Sequence, residues 1–254
     1  MPFRLRPISV KPILSRLFEH YVVKQYLLPA ICSNDIDDQF AFRPTGSTMA
    51  TLIYILHHVT LLLQTNDYVR CLLVEFSKAF DTVNHFILIK KLHKLDILPI
   101  VINWKINFVT DRMQQVVING RRSSRLSITR SIVQGSGLEH LLFLIYILDL
   151  RLSARSICWW SFAVLPSTLS SDFVNEFSHI VRWAEVNKLI INSSKTKEIV
   201  FRRPSLWNYI PPPPLMQIEQ VEEAKLLRVL LTPTLSMQLH VKYTISILNP
   251  HLYL

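Results

Sequence analysis

One carboxylate stands out in this sequence because of its position in an apolar segment. The run from Val69 to Phe76 is mostly apolar and carries a single acid, Glu75, near its end. Such a run is typical of a buried strand, which would deliver the Glu75 carboxylate to the edge of a sheet. There the carboxylate could serve a site or be no more than an edge-strand charge. Its position alone leaves both interpretations open.

An excess of cations is the second chemical feature. Lys and Arg total 28 against 18 Asp and Glu, a formal net charge of +10. Such an excess attracts polyanions through counterion release and long-range steering, so nucleic acid is the first partner to consider. A basic but otherwise ordinary protein would show the same composition, and charge alone does not decide between the two.

The remaining composition indicates a folded chain without covalent or metal crosslinks. With 254 residues, half of them hydrophobic, the chain can bury a sizeable core in one large domain or two coupled subdomains. Cys32, Cys71 and Cys158 lie far apart and form no CxxC pair. Neither a zinc site nor a disulfide framework is indicated, and a reducing compartment fits.

Neither an export signal nor a membrane span is expected. The basic start, MPFRLRPISVKP, lacks the apolar stretch of a secretory signal. The uncharged stretch from Ser156 to Ser171 is too short, and too interrupted by Ser, Thr and Pro, to cross a bilayer. We therefore expect an intracellular protein, in the nucleus or the cytoplasm.

Hydrophobic periodicity outlines the helices and strands that must position Glu75. Between Ile13 and Tyr26 it predicts a helix with an apolar face of Leu14, Leu17, Phe18, Tyr21 and Val22. Further helices are predicted at Thr48–Leu63, Asn84–Leu95, Pro99–Val109, Leu138–Leu150 and Asp172–Val186. Besides Val69–Phe76, strands are predicted at Gln114–Ile118 and Ser124–Arg130 around an Asn119-Gly120 turn, at Leu189–Ile191 paired with Glu198–Phe201, and at Lys225–Leu231.

Sequence motifs point to a family. RPIS at Arg6–Ser9, QFAFRPTGST at Gln39–Thr48 and EFSKAFDTVNH at Glu75–His85 are followed by VQGSGLEHLLFLIYILDL at Val133–Leu150 and RWAEVNKLIINSSKTKEIVF at Arg182–Phe201. In their order and spacing they resemble the successive blocks of reverse transcriptases from non-LTR (LINE-like) retrotransposons. Chance agreement of all these blocks is remote, although a single match would be weak evidence.

The resemblance implies an α+β fold, the fingers and palm of a right-hand polymerase, with an antiparallel palm sheet packed on helices and a truncated thumb. It divides the chain into fingers-like segments at 1–68 and 87–130, palm-like segments at 69–86 and 131–230, and a tail at 231–254. It also implies an RNA template and a DNA primer as partners. The implied cofactor is Mg²⁺, because two such ions, held by carboxylates, clamp the attacking and leaving oxygens.

By this resemblance Glu75 is the catalytic and metal-binding candidate, at the first metal-binding acid, where the family has Asp. The extra methylene would slow the reaction, because Mg²⁺ demands near-ideal octahedral geometry. The other two acids belong to a Tyr-Ala-Asp-Asp hairpin, but here SICWWSFAVLP, from Ser156 to Pro166, carries no carboxylate. We expect a hairpin that is replaced and not deleted, and catalysis that collapses.

Other positions match the family's nucleotide pocket. Arg43 matches the fingers arginine that grips the triphosphate, with a surface salt bridge as its equal alternative. Phe80 matches the aromatic beneath the sugar, and on sequence alone would be core. Gln134, Gly135 and Ser136 match the turn that lines the pocket.

Two further positions are compared with the family's pattern. Lys195 is a second catalytic candidate, because it matches a lysine proposed to protonate pyrophosphate, although a lysine in an NSSK loop is more often only solvated. Glu139-His140 stands where the family has Gly-Pro, which puts in doubt the tight backbone after the turn.

The first hypothesis is therefore a reverse transcriptase (RNA-directed DNA polymerase) domain fragment that is inactive because its Asp-Asp hairpin is replaced. One alternative is a non-catalytic nucleic-acid-binding protein that uses an inherited basic groove, with Arg43, Arg121, Arg122, Arg202 and Arg203 available. The other is a translated pseudogene product without a selected activity.

Overall fold

The computed structural model describes residues 11–31, 47–132, 135–150, 157–159, 162–169, 172–204, 209–215 and 217–252. In chain order the helices are α1 (Ile13–Val22), α2 (Leu28–Ala30), α3 (Thr48–Thr65), α4 (Ala79–Thr82), α5 (His85–Leu92), α6 (Pro99–Val109), α7 (Glu139–Ile147), α8 (Asp172–Val186) and α9 (Gln238–Leu252). The strands are β1 (Tyr68–Leu73), β2 (Arg112–Gln114), β3 (Val117–Ile118), β4 (Arg121–Arg122), β5 (Leu126–Ile128), β6 (Ile157–Trp159), β7 (Phe162–Pro166), β8 (Lys197–Arg202), β9 (Glu219–Gln220), β10 (Ala224–Leu226) and β11 (Val229–Leu231).

These elements fall into two compact units. The first unit is made of Met1–Asp37, Ser77–Leu150 and Ala184–Ile190, and the second of Asp38–Phe76, Arg151–Trp183 and Ile191–Leu254. Each unit has its own set of buried side chains.

The second unit is built around a mixed five-stranded sheet of order β6-β7-β1-β8-β9. β1 is its central strand and pairs antiparallel with both β7 and β8, while the edge strand β9 runs parallel to β8. The two short strands β10 and β11 form a separate hairpin, whose turn residues Leu227 and Arg228 have φ of 47° and 73°. The continuous apolar character of β1 is explained by its central place, since both of its faces are covered.

Helix α3 covers one face of this sheet. Ser47 begins the helix, because its side chain accepts a hydrogen bond from the backbone N–H of Ala50 at 3.0 Å. The buried face of the helix then packs against β1, β7, β8 and the β10–β11 hairpin through Leu52, Ile55, Val59 and Leu63. The helix predicted at Thr48–Leu63 is confirmed, and Leu56 lies at the partly buried margin of its inner face.

A buried ion pair lies on the opposite face of the sheet. Arg70 of β1 donates from Nε to Oε1 of Glu198 of β8 at 2.7 Å, and the two side chains are 4% and 0% exposed. Its guanidinium lies 4.1 Å from the ring centroid of Phe173, which comes from α8. The alternation of β1 therefore places Cys71 towards α3 and Arg70 towards α8.

The first unit is mainly helical. Helix α5 begins at Asn84, whose side chain accepts from the backbone N–H of Ile87 at 3.2 Å, and packs on α7. Residues 112–128 form paired short strands, β2 with β5 and β3 with β4. The Asn119-Gly120 turn is confirmed, with φ of 50° and 77°, the positive angles of a tight hairpin.

Several predictions about elements are wrong. The segment Lys225–Leu231, predicted as one strand, lies within the β10–β11 hairpin. In α1 most of the predicted apolar face is exposed, with Leu14 80% and Leu17 61% accessible; only Val22 of that face is buried, together with Glu19. The reason is that the Glu19 carboxylate finds partners inside the unit. The predicted pairing of Leu189–Ile191 with Glu198–Phe201 is also replaced, because β8 pairs with β1 along its whole length and Ile191 forms only an isolated bridge to Phe76.

One described helix is long and apolar enough to span a membrane by length and composition, namely α3. It is a longer uncharged segment than the Ser156–Ser171 stretch. However, its apolar residues pack on the sheet of the second unit.

Candidate active site

Glu75 lies at the exposed end of the central strand of the second unit, as predicted. Its side chain is 50% exposed, and Oε1 accepts a hydrogen bond from Nζ of Lys195, itself 61% exposed, at 2.7 Å. The two catalytic candidates chosen from the sequence are therefore brought together. The ammonium neutralises the carboxylate locally, although an ion pair this exposed stabilises a fold by only about 0–1 kcal/mol.

The loop that carries Lys195 is attached to the end of β1 by hydrogen bonds to the backbone of Glu75. The N–H of Asn192 donates to the carbonyl of Glu75 at 2.7 Å, and the N–H of Glu75 donates to Oγ1 of Thr196 at 3.2 Å. The N–H groups of Lys195 and Thr196 both donate to the carbonyl of Asn192, which closes the loop. Thr196, fully buried, was not singled out from the sequence, yet it holds the backbone of Glu75.

A hairpin stands beside β1 where the family has its Asp-Asp turn. Strands β6 and β7 are antiparallel with Trp159 opposite Phe162, and Phe162 is in turn opposite Leu73 of β1. The Trp159 and Phe162 ends of these two strands thus lie at the same edge of the sheet as Glu75. No acid occurs anywhere from Ser156 to Ser171. The strand pairing expected for a replaced and not deleted hairpin is present, without a carboxylate to accompany Glu75.

In the first unit, Phe80 lies on α4 and is partly buried. Its ring packs against Phe143 of α7, with centroids 4.7 Å apart, and meets the ring of His140 edge-on at 6.2 Å. The carbonyl of Phe80 accepts a hydrogen bond from the N–H of Ile132 at 2.9 Å. This bond fixes the segment that leads into the Gly135-Ser136 loop. Arg43 and Gln134, by contrast, lie outside the described residues.

The Gly135-Ser136 loop is closed by local hydrogen bonds. Gly135 has φ of 87°, a left-handed angle that favours glycine, and its N–H donates to Oε2 of Glu139 at 2.8 Å. The buried hydroxyl of Ser136 accepts from the N–H of Leu138 at 3.3 Å. Glu139 therefore supplies an acceptor for a tight loop at the position where the family has Gly-Pro.

Sequence reasoning missed a charged cluster that supports this loop. Glu19 of α1, only 1% exposed, accepts from the N–H of Gly137 at 3.0 Å and from Nζ of Lys11. Fully buried Lys105 of α6 interacts electrostatically with Glu19 and Lys11, and its Nζ has no hydrogen-bond partner among the described residues. Burial lowers the pKa of Lys105 to about 7. The sequence signal for Glu19 is that it is the only acid in a helix of otherwise apolar, neutral polar and basic residues. A pattern averaged over the whole helix hides such a single residue.

Comparison with known proteins relates this arrangement to polymerases. The family model described as reverse transcriptase (RNA-dependent DNA polymerase) matches residues 3–243. A relative from Drosophila melanogaster, described as a probable RNA-directed DNA polymerase from transposon X-element, is 25% identical over 94% of this chain and 28% of its own length. Another, from transposon BS of the same organism, is 29% identical over 59% of this chain and 16% of its own length. The chain thus spans well under half of either relative.

Solved structures show the same fold at low identity. Telomerase from Candida tropicalis, in a complex with a fragment of telomeric RNA, superposes with a TM-score of 0.56 at 9% identity, covering 87% of this chain and 38% of that chain. The apo enzyme truncated from its C-terminal domain gives 0.51 at 11% identity, over 90% of this chain and 49% of that chain. The expected α+β polymerase architecture is thereby confirmed. The chain belongs to the reverse transcriptase (RNA-dependent DNA polymerase) family, and its relatives identify it as a LINE-like reverse transcriptase domain.

Proposed function

We propose that this chain is a transposon reverse transcriptase domain that binds nucleic acid but does not polymerise. The observation that carries the proposal is the carboxylate-free hairpin of β6 and β7 beside β1, at the sheet edge where Glu75 is paired with Lys195. Phosphoryl transfer depends on positioning and on electrostatic stabilisation by metal ions, so a palm that lacks most of its ligands loses the main source of rate.

The donor set at this edge does not fit two Mg²⁺ ions. Hard cations need several oxygen ligands, and Mg²⁺ tolerates little deviation from octahedral geometry. Glu75 offers one carboxylate, already engaged by an ammonium. Within the described part of the chain, no group of three or more His, Cys, Asp or Glu residues could hold a metal ion. We therefore infer that Mg²⁺ binding is lost.

An RNA template and a DNA primer are the partners that we infer. The described relatives are RNA-directed DNA polymerases, and one telomerase neighbour was solved with RNA. The net charge of +10 supports phosphate binding. Such partners fit an intracellular location, and the division into fingers, palm and tail remains a prediction.

A primer-extension assay on an RNA template, with Mg²⁺ or Mn²⁺, tests the loss of catalysis. We expect no template-dependent product from the wild-type chain, while an active reverse transcriptase extends the same primer. Extension that Glu75→Ala abolishes, but that Glu219→Ala leaves intact, would show that the palm is active. Glu219 is a suitable control because it is another exposed, ion-paired glutamate of the second unit, joined to Lys197.

Nucleic-acid binding is the part of this proposal that does not depend on catalysis. The exposed strand β4 presents Arg121 and Arg122, besides the overall positive charge. Filter binding of RNA across a salt series tests this role, since phosphate contacts make affinity fall steeply with salt. A flat response would exclude it.

A broad, non-cooperative thermal melt would instead favour a pseudogene product without a stable fold.

A further inference from the structure

Four consecutive prolines, Pro211–Pro214, lie between β8 and β9 in the second unit. Proline fixes its own φ at about −65° and keeps the residue before it extended, so such a run adopts the polyproline II conformation. A polyproline II helix has three residues per turn. Residues three apart therefore form one edge, and the helix has three edges. We name Ile210–Leu215 the proline segment.

Burial along the proline segment repeats with that period. Pro212 and Leu215, which are three residues apart, are buried. The other residues of the segment are exposed, and 82% of the surface of Ile210 is accessible. One edge of the helix thus packs on the second unit. The other two edges form an exposed apolar surface made of Ile210, Pro211, Pro213 and Pro214.

Hydrogen bonds from the sheet hold the proline segment in place. The carbonyl of Pro213 accepts from Nη2 of Arg70 at 3.0 Å, and the N–H of Leu215 donates to Oε2 of Glu198 at 3.3 Å. The buried ion pair between β1 and β8 therefore also anchors this segment. Because the conformation of the segment is fixed in the folded chain, little ordering cost remains when a partner binds.

The backbone of the proline segment can still accept hydrogen bonds from a partner. The carbonyl of Pro212 accepts from Nε2 of Gln220 at 3.4 Å. No described residue donates to the carbonyl of Pro211 or Pro214. Since proline has no N–H, a partner that binds these edges must supply the donors.

Aromatic-lined grooves are the protein surfaces that recognise polyproline II segments. Their rings pack on exposed proline edges, and tyrosine O–H or tryptophan N–H groups donate to the carbonyls. From Tyr209 to Leu215 the chain carries no charge, which favours a neutral aromatic groove over a polyanion. We propose that the two exposed edges of the proline segment bind the aromatic groove of a WW-type domain in a partner protein. This interaction depends neither on nucleic-acid binding nor on catalysis.

Fluorescence anisotropy of a dye-labelled WW domain that binds uncharged proline–leucine ligands, titrated with the full chain, tests the proposal. We expect saturable binding. Pro211→Ala/Pro214→Ala removes both rings of one exposed edge and should weaken binding by about tenfold or more, because a few central apolar contacts carry most of the affinity of an interface. Ile210→Ser, on the other exposed edge, should also weaken binding while it leaves all four prolines in place. If the double variant unfolds, Ile210→Ser decides the question.

The matched control is Pro12→Ala/Pro99→Ala, which removes two exposed prolines at the starts of α1 and α6 in the first unit. It should bind as tightly as the wild type. A WW domain whose groove tryptophan is replaced by alanine should not bind the wild-type chain.

Absence of saturable binding by the wild type would overturn the proposal. Unchanged binding by the proline-segment variants, or an equal loss in the control, would do the same. So would binding of a free peptide of residues 209–215 that the full chain does not reproduce, since the two edges would then be inaccessible in the folded protein.

Discussion

At the scale of single residues, burial decides which charges matter. The pair of Glu75 and Lys195 is half exposed, so water screens it and its contribution to folding is small. Lys105 is fully buried without a hydrogen-bond partner among the described residues, and its charged form is costly. A lysine therefore has little effect on stability in the exposed pair of the second unit, whereas a buried lysine destabilises the first unit.

We expect Lys105→Met to stabilise the protein at pH 7 by about 1–3 kcal/mol, because it removes an unsatisfied buried amine. Burial lowers the pKa of Lys105 from 10.5 to about 7 in the folded state. As pH falls from 10.5 towards 7, the unfolded chain takes up a proton that the folded chain does not, so the free energy of unfolding falls. Below about 7 both states are protonated and the deficit is constant.

Urea unfolding of the wild type and of Lys105→Met at several pH values between 7 and 10 checks this expectation. The difference in free energy of unfolding between Lys105→Met and the wild type should decrease as pH rises. The difference isolates Lys105 from Lys91, whose pKa is also lowered by burial. Lys24→Met, at an exposed position just after α1, is the control. A gap that is constant with pH would contradict a lowered pKa.

The candidate site could be predicted only in part, and the reason is physical. Glu75 and Lys195 were found because each lies in a motif, whereas the contact between them is seen only in the structure. Glu19 was missed because its partners, Gly137 and Lys11, come from other segments. A buried acid with remote partners leaves no periodic trace in the sequence.

At the scale of elements, long-range pairing explains where prediction from local pattern failed. Helices α3 and α8 were predicted well, because both show a local hydrophobic periodicity and α3 also begins at the Ser47 cap. Strand β8 was expected to pair with a neighbouring segment, but its partner is β1, more than a hundred residues earlier. Residue patterns report which side chains are buried, not which strand lies beside them.

The β1–β8 pairing holds a buried ion pair whose rupture should be costly. Arg70→Leu leaves the Glu198 carboxylate without its charged partner inside the sheet, so we expect destabilisation of about 3–5 kcal/mol. Arg70→Leu/Glu198→Leu should lose less than the single variant, because no unpaired charge remains.

Chemical denaturation of these variants provides the measurement. The control is Lys197→Leu, which breaks the exposed pair with Glu219 in the same sheet and should cost less than about 1 kcal/mol. An Arg70→Leu variant no less stable than this control would show that the buried pair is not needed.

At the scale of the whole molecule, each compact unit has a buried core, and Cys71 reports on that of the second unit. Cys71 is 1% exposed, and burial raises the pKa of its thiol to about 12. Because the thiolate is the reactive form, alkylation at pH 8 should be negligible until the core opens.

This expectation can be measured in a Cys32→Ser/Cys158→Ser background, which leaves Cys71 as the remaining thiol. Labelling by iodoacetamide should be slow in buffer and accelerate through the unfolding transition. When Arg70→Leu is added to this background, labelling should become fast at a lower denaturant concentration. Rapid labelling in the native state would mean that the sheet core opens readily.

The carboxylate-free hairpin beside β1 has a consequence for folding itself. Where several acids crowd a palm, their mutual repulsion opposes compaction until divalent ions arrive, so metal and fold are thermodynamically linked. Here aromatic and aliphatic residues occupy that hairpin, and the remaining carboxylate has a lysine beside it. The melting temperature should therefore be indifferent to EDTA and to millimolar Mg²⁺, and a rise on adding Mg²⁺ would contradict this. Without repulsion between clustered acids, a fold of this kind can remain stable in the absence of metal ions.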